Sequence, residues 1–404
     1  MLTRKQLDKY ADVLLWGLNT ARNGKFKKGD VVLVQFDLPA VQLAEILQGK
    51  LLAMGMNPII RSSRTPDMEH NFYEKADSKQ LVFRGSWEDD LYAHLNGRIY
   101  LHAPASLTHL ADIDSKRIGS HAVAMKPLRD IMREREEKGM LGWTLCMMPT
   151  EALAEKAGLS LRQYANQIIK ACYLDKPDPV AEWKRLFKEA QVVKKWINSL
   201  NVDYYHVESE GVDLIIRPGE KRQWIGVSGH NIPSFELFIS PDWRGTEGTY
   251  MADQPSFRSG NLVEGVRLTF KKGIVTEAFA RKGEAFTRKQ LKMDKGASRV
   301  GEFSLTDKRF SKISKFMAST LYDENHGGRY GNCHLAVGAS YSDTYDGDPA
   351  ELTKKMKEKL GFNDSALHWD LVNTNNKTVT AHLVTGESMV VYENGMFCCW
   401  ELNR

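Results

Sequence analysis

His368 and Asp370 stand two positions apart in SALHWDLV (365–372), a run that otherwise reads as a strand. Alternation on a strand sends both side chains to one face, where an imidazole and a carboxylate could ligate a metal. A buried histidine with its hydrogen-bond partner, or a polar solvent face, would read the same way. His334 lies in a short apolar strand within CHLAVGASY (333–341), and Tyr341 follows it across a Gly-Ala-Ser turn. Its neighbour Cys333 suggests a thiolate–imidazole pair, but adjacent strand residues point to opposite faces, which argues against one.

Two carboxylates stand out for their surroundings. Glu236 in NIPSFELFISP (231–241) is flanked by Phe235, Leu237 and Phe238, and Glu302 in RVGEFSL (299–305) sits between Gly301 and Phe303. Burying a carboxylate is costly unless it is paired or bound to metal. Exposure at a turn, or pairing with one of the many Lys and Arg side chains, is the competing explanation for each. Glu236, Glu302, His334, His368 and Asp370, with Tyr341 nearby, form a mixed His/carboxylate set of the kind found in two-metal hydrolytic centres. There a carboxylate bridges two divalent ions and the water between them is acidified. Separation along the chain does not by itself bring the six together.

The elements that must position them fall into two patterns. Over the first 150 residues strand and helix signals alternate: VVLVQF (31–36), PIIRSS (58–63), RIYLHAP (98–104) and GWTLCMMP (142–149) are apolar runs. Helical patterns follow Pro39 and occupy 123–138 and 159–174. Such alternation implies a mostly parallel sheet with flanking helices. No GxGxxG or GxxxxGK[ST] follows any of these strands, so a nucleotide cradle has no support. PDPVAEWKRLFKEAQVVKKWINSLN (177–201) is the strongest helix, with Trp183, Leu186, Phe187, Ala190, Val193 and Ile197 at helical spacing. Beyond residue 200 the chain reads as antiparallel hairpins turning at Glu210-Gly211, Lys272-Gly273, Gly386 and Asn394-Gly395. The expectation is an N-terminal α/β domain with a mostly parallel sheet (1–176). A C-terminal catalytic α+β domain (177–404) then carries the metal site on a curved antiparallel sheet.

Composition narrows the function classes. The 404 residues are 42% hydrophobic and 26% charged, which suits globular domains with real cores. There is no 18-residue apolar run, so no membrane span is expected. The N-terminal stretch reads as an amphipathic helix without a signal peptide's apolar region. Five scattered cysteines without CxxC spacing point to reduced thiols and a cytoplasmic setting. The net charge of +5 is spread along the chain, which argues against a nucleic-acid partner.

At the residues singled out above, the chain resembles the thermophilic-type metallo-aminopeptidases, the aminopeptidase T, aminopeptidase S and PepS family. Four motifs stand in family order: Asn231 to Glu236, Gly301-Glu302-Phe303, His334 to Tyr341, and Ser365 to Asp370. The MPTEALAEKAGLS segment and the PDP-helix extend the likeness over nearly the whole chain. The chain departs from the family pattern at Phe235, where Gly is common, and in extra residues between Gly328 and His334.

The resemblance implies two divalent ions per chain held by Glu236, Glu302, His334, His368 and Asp370, with Tyr341 as a ligand or donor. Zinc fits best, and cobalt, manganese or magnesium are alternatives. It implies an aminopeptidase acting on peptides with a free N-terminus, in a homodimer. Glu302 is the first choice for general base and Tyr341 for stabilising the oxyanion. Asp370 is the candidate bridge between the ions. Glu324, in LYDENHGG, reads as a surface turn or as a contact for the substrate amine. The alternative activity is a mononuclear non-haem iron(II) ring-cleaving dioxygenase using His334, His368 and Asp370.

Overall fold

VVLVQF forms the strand Val31–Phe36 at the heart of a five-stranded parallel sheet. Val32, Leu33 and Val34 are all fully buried, as expected for a strand covered on both faces. The strand order is Asn57–Ser62, Val31–Phe36, Gly97–His102, Gly142–Met147 and Asn231–Ile232, every neighbouring pair parallel. The computed structural model describes residues 2–399 of the chain. They divide into two compact units: 2–185 with 228–234, and 186–227 with 235–399.

The first unit is the α/β part. Its opening helix, Arg4–Thr20, starts at a capping box formed by Thr3 and Gln6 and buries Leu7, Tyr10, Ala11, Leu14 and Leu18. The helix expected over 123–138 is two helices, Ser115–Ala124 and Lys126–Glu137. Pro127 lies in the first turn of the second helix; it has no N–H to donate back to Val123 and its ring crowds that carbonyl, so the first helix cannot run on through it and the chain restarts after Met125.

The second unit holds two antiparallel sheets. The larger has nine strands, built from the hairpins read in the sequence. Lys272-Gly273 (φ 49° and 69°) and Asn394-Gly395 (φ 51° and 79°) have the paired positive φ of two-residue hairpin turns. The last expected strand extends to Trp400, which lies outside the described residues; the observed one is Met396–Phe397. The smaller sheet runs His368–Asn373, Asn332–Gly338, Val300–Thr306, Glu236–Ile239 and Ile225–Gly226. Its central strands, Val300–Thr306 and Asn332–Gly338, are buried at every position.

The SALHWDLV strand starts at His368 rather than at Ser365. Asp294 takes the three residues before it out of the ladder, accepting from Ser365 Oγ (2.8 Å) and from Ala366 N–H (2.6 Å). Trp369 alternates to the opposite face from its neighbours. It is buried there, its Nε1 donating to Ser256 Oγ at 3.1 Å. Among the described residues no helix is long and apolar enough to cross a membrane, and the cysteines are free thiols.

Candidate metal centre

The register of the smaller antiparallel sheet brings the chemistry together. Glu302 pairs across Ala336, which pairs across Asp370; Ser304 pairs with His334, Gly338 with His368, and Thr306 with Glu236. Directly paired residues share a face, as do residues two apart on one strand. Glu236, Glu302, Ser304, His334, His368 and Asp370 therefore all project from the same side. Ala336 sits among them with only a methyl group, which leaves room for the longer side chains to lean together.

They meet closely. His334 Nε2 lies 2.9 Å from Glu302 Oε1, 3.5 Å from Glu236 Oε2 and 3.8 Å from Asp370 Oδ1. His368 Nε2 lies 3.2 Å from the same Asp370 oxygen and 3.7 Å from Glu302 Oε2. Each Glu302 oxygen thus faces a different imidazole, and one Asp370 oxygen stands within reach of both. Ser304 Oγ donates to Glu236 Oε2 at 3.3 Å. Ala339 carbonyl accepts from His368 Nδ1 at 2.9 Å, which orients the ring with Nε2 inward. Tyr341 stands beside the cluster, 37% exposed, its ring edge-on to that of His368 at 4.9 Å.

Burial and like charge make the cluster electrostatically tense. Burial pushes Glu236 up to about 8, the Glu302 and Asp370 carboxylates adding to the shift while His334 opposes it. Burial also holds Glu324 well above its usual range, reinforced by the Glu236, Asp370 and Glu302 charges. For the imidazoles, burial favours loss of the proton, but the carboxylates outweigh it. Glu302 and Glu236 lead in raising His334 to about 9, and Asp370 leads in raising His368 to about 9. Against its own burial, Asp370 is held well below the carboxylate range by His368 and then His334.

This predicts the sign of a linkage. Around neutral pH both imidazoles and the Glu236 carboxyl of the metal-free protein carry protons that an incoming cation must displace. Divalent-metal affinity should therefore rise with pH between 6 and 9, by about tenfold per unit for each proton released, and level off above. Calorimetric titration in buffers of different ionisation enthalpy measures the proton release. An affinity independent of pH over that range would show the imidazoles take no part.

Glu236, Glu302, His334, His368 and Asp370 are thus brought into one cluster, and Tyr341 to its rim. Glu324 departs from the surface-turn expectation: it is buried, 6% exposed. The polar residues around it are used internally. Asn325 Oδ1 accepts from Phe235 N–H at 2.5 Å, Asn325 Nδ2 donates to Leu321 carbonyl at 3.0 Å, and Asp323 accepts from Met317 and Ser319 N–H groups. Phe235, the departure from the family pattern, is itself fully buried. Ser304 was missed, although its place two residues after Glu302 puts it on the same face. Asn325 carried no signal beyond its position in a polar turn.

The cluster suits a divalent cation. Oxygen and nitrogen atoms of Glu236, Glu302 and His334 all lie within 4.8 Å of one another. His334 Nδ1 is buried without a hydrogen-bond partner, and two imidazoles with three carboxylates are a borderline-to-hard donor set.

Comparison with known proteins adds to this geometry. The family model described as thermophilic metalloprotease (M29) matches residues 3–397. Aminopeptidase PepS of Streptococcus thermophilus is 24% identical over 420 aligned positions, covering 97% of this chain and 98% of its own. Wild-type AmpT from Thermus thermophilus superposes with a TM-score of 0.79 at 22% identity, over 97% of this chain and 99% of its own. A 2,5-dihydroxypyridine dioxygenase from Pseudomonas putida superposes with a TM-score of 0.51 at 12% identity, over the full length of both chains. At these identities the structural likenesses concern the fold.

Proposed function

The chain belongs to the thermophilic metalloprotease family, and from that premise we propose that it is a two-metal aminopeptidase that removes N-terminal residues from peptides. The observation that carries the reading is the convergence of Glu236, Glu302, His334, His368 and Asp370 on one buried sheet face. These five would hold the cations. Zinc suits the imidazole and carboxylate mixture, and cobalt, manganese or magnesium are compatible with it. The homodimer and the cytoplasmic setting expected from the resemblance belong to the same proposal.

When bound, the cations would supply Lewis-acid polarisation of the scissile carbonyl and a water acidified towards neutral pH. The chain's own residues would do the rest. Glu302, hydrogen-bonded to His334 and facing His368, takes a proton from the attacking water and passes it to the leaving amine. Tyr341, although 37% exposed as a residue, keeps its proton, because desolvation of its hydroxyl and the Glu302, Asp370 and Glu324 charges hold its pKa well above the usual value. Its hydroxyl is therefore a donor for the oxyanion. Asp370, one oxygen within reach of both imidazoles, would help hold the cations between the two histidines.

A mononuclear dioxygenase would employ His334, His368 and Asp370 and leave Glu236 and Glu302 without a use. The full five-residue cluster and the family membership favour the hydrolase. The test is metal content measured beside hydrolysis of a panel of aminoacyl amides. Activity should fall at least ~100-fold on chelation and return with zinc or cobalt. One iron per chain with oxygen consumption would overturn the proposal.

A further inference from the structure

One group near the cluster is left without a partner. Beside the strand His368–Asn373 lies a narrow crevice with room for about one water-sized group. Gln254, Phe257, Ser319 and Asp323 wall it, and Asp370 lines its sheet side. Two of its lining residues are carboxylates and none is Lys, Arg or His. Ser319 is 8% exposed, and its Oγ is buried with no hydrogen-bond partner. An unpaired buried hydroxyl is costly, so a ligand that completes its bonding is favoured there.

Asp323 is fixed in place. One of its oxygens accepts Met317 N–H at 2.7 Å and the other accepts Ser319 N–H at 2.8 Å, with lone pairs left on both. Burial pushes its pKa up to about 8 against those two bonds, and a cation beside it favours the ionised form.

We propose that this crevice receives the α-ammonium group of the peptide substrate, with Ser319 Oγ and Asp323 as its acceptors. An ammonium head is water-sized, carries three donors and no acceptor, and finds Ser319 and Asp323 on the crevice wall. A guanidinium or the side chain of the substrate's first residue is too large for the space. The inference rests on the aminopeptidase reading and adds to it the place where a free N-terminus is recognised.

Ser319→Ala is the clean probe, because the hydroxyl makes no hydrogen bond in the fold and its removal breaks none. In the metal-loaded enzyme, KM for leucine p-nitroanilide and the inhibition constant of n-butylamine should both rise about tenfold, the loss of one charge-assisted hydrogen bond. Inhibition by n-butanol should not change. Asp323→Asn keeps a carbonyl acceptor for one of the two N–H groups and should weaken the amine further. If that variant fails to fold, Ser319→Ala decides alone. Wild-type values of both constants in Ser319→Ala would overturn the inference while leaving the aminopeptidase reading intact. A wild-type chain that hydrolyses no aminoacyl substrate with any metal removes both.

Discussion

Glu302→Gln should lower kcat by about 10³-fold on aminoacyl substrates, the range set by loss of a general base. The substitution is nearly isosteric, and the amide oxygen can still accept from His334 Nε2, which stands 2.9 Å from Glu302 Oε1. Circular dichroism and a thermal midpoint close to wild type are expected. Because Glu302 would both ligate and move protons, metal content must be measured on the same sample. Retained metal with lost turnover marks the base; lost metal marks the ligand. Near-normal kcat would remove Glu302 from the mechanism altogether.

Gly338→Ala should be among the most damaging single methyls in the second unit. Gly338 has φ of +108°, and a Cβ there would lie 2.1 Å from the Leu367 carbonyl oxygen and 2.6 Å from its carbon. Both obstacles are backbone, so neither can rotate away. Strained backbone combined with steric overlap gives an expected loss of about 3 kcal/mol or more. That corresponds to a thermal midpoint roughly 10 °C lower. Gly338 is also the residue paired with His368, so the push falls on the strand start that places a candidate ligand. Scanning calorimetry and metal content should fall together. A midpoint within a degree of wild type would mean that the two strands part without cost.

How much of this was legible beforehand depends on which physical signal each feature leaves in the chain. Hairpin turns at Lys272-Gly273 and Asn394-Gly395 were readable because paired positive φ restricts the residue types. The common face of His368 and Asp370 was readable because alternation needs only one strand. Register is different: that Ser304 pairs with His334, and Glu302 with Ala336, depends on how separate strands pair, and sequence separation does not encode it. Glu324 misled because a D-E-N-H-G-G run has the composition of an exposed turn. Its polar groups instead satisfy internal N–H and carbonyl groups around Phe235, Met317 and Leu321. The split at Met125 was visible in Pro127, but helical periodicity on both sides disguised it. Ser319 left no trace at all, since an orphaned hydroxyl is a property of its surroundings.

Ala336 stands in the row that joins Glu302 to Asp370. Neighbouring strands are about 4.8 Å apart, so the backbones bearing those two carboxylates are separated by roughly 10 Å, a distance set by hydrogen-bond length. No loop has to close for the span to be correct, and loop changes in evolution would leave it unaltered. The alanine has no chemistry of its own, yet it decides how much can stand between the two acids. The width of this centre is accordingly a lattice constant of its sheet, and a bulkier residue at 336 would fill the space between the two acids without altering their spacing.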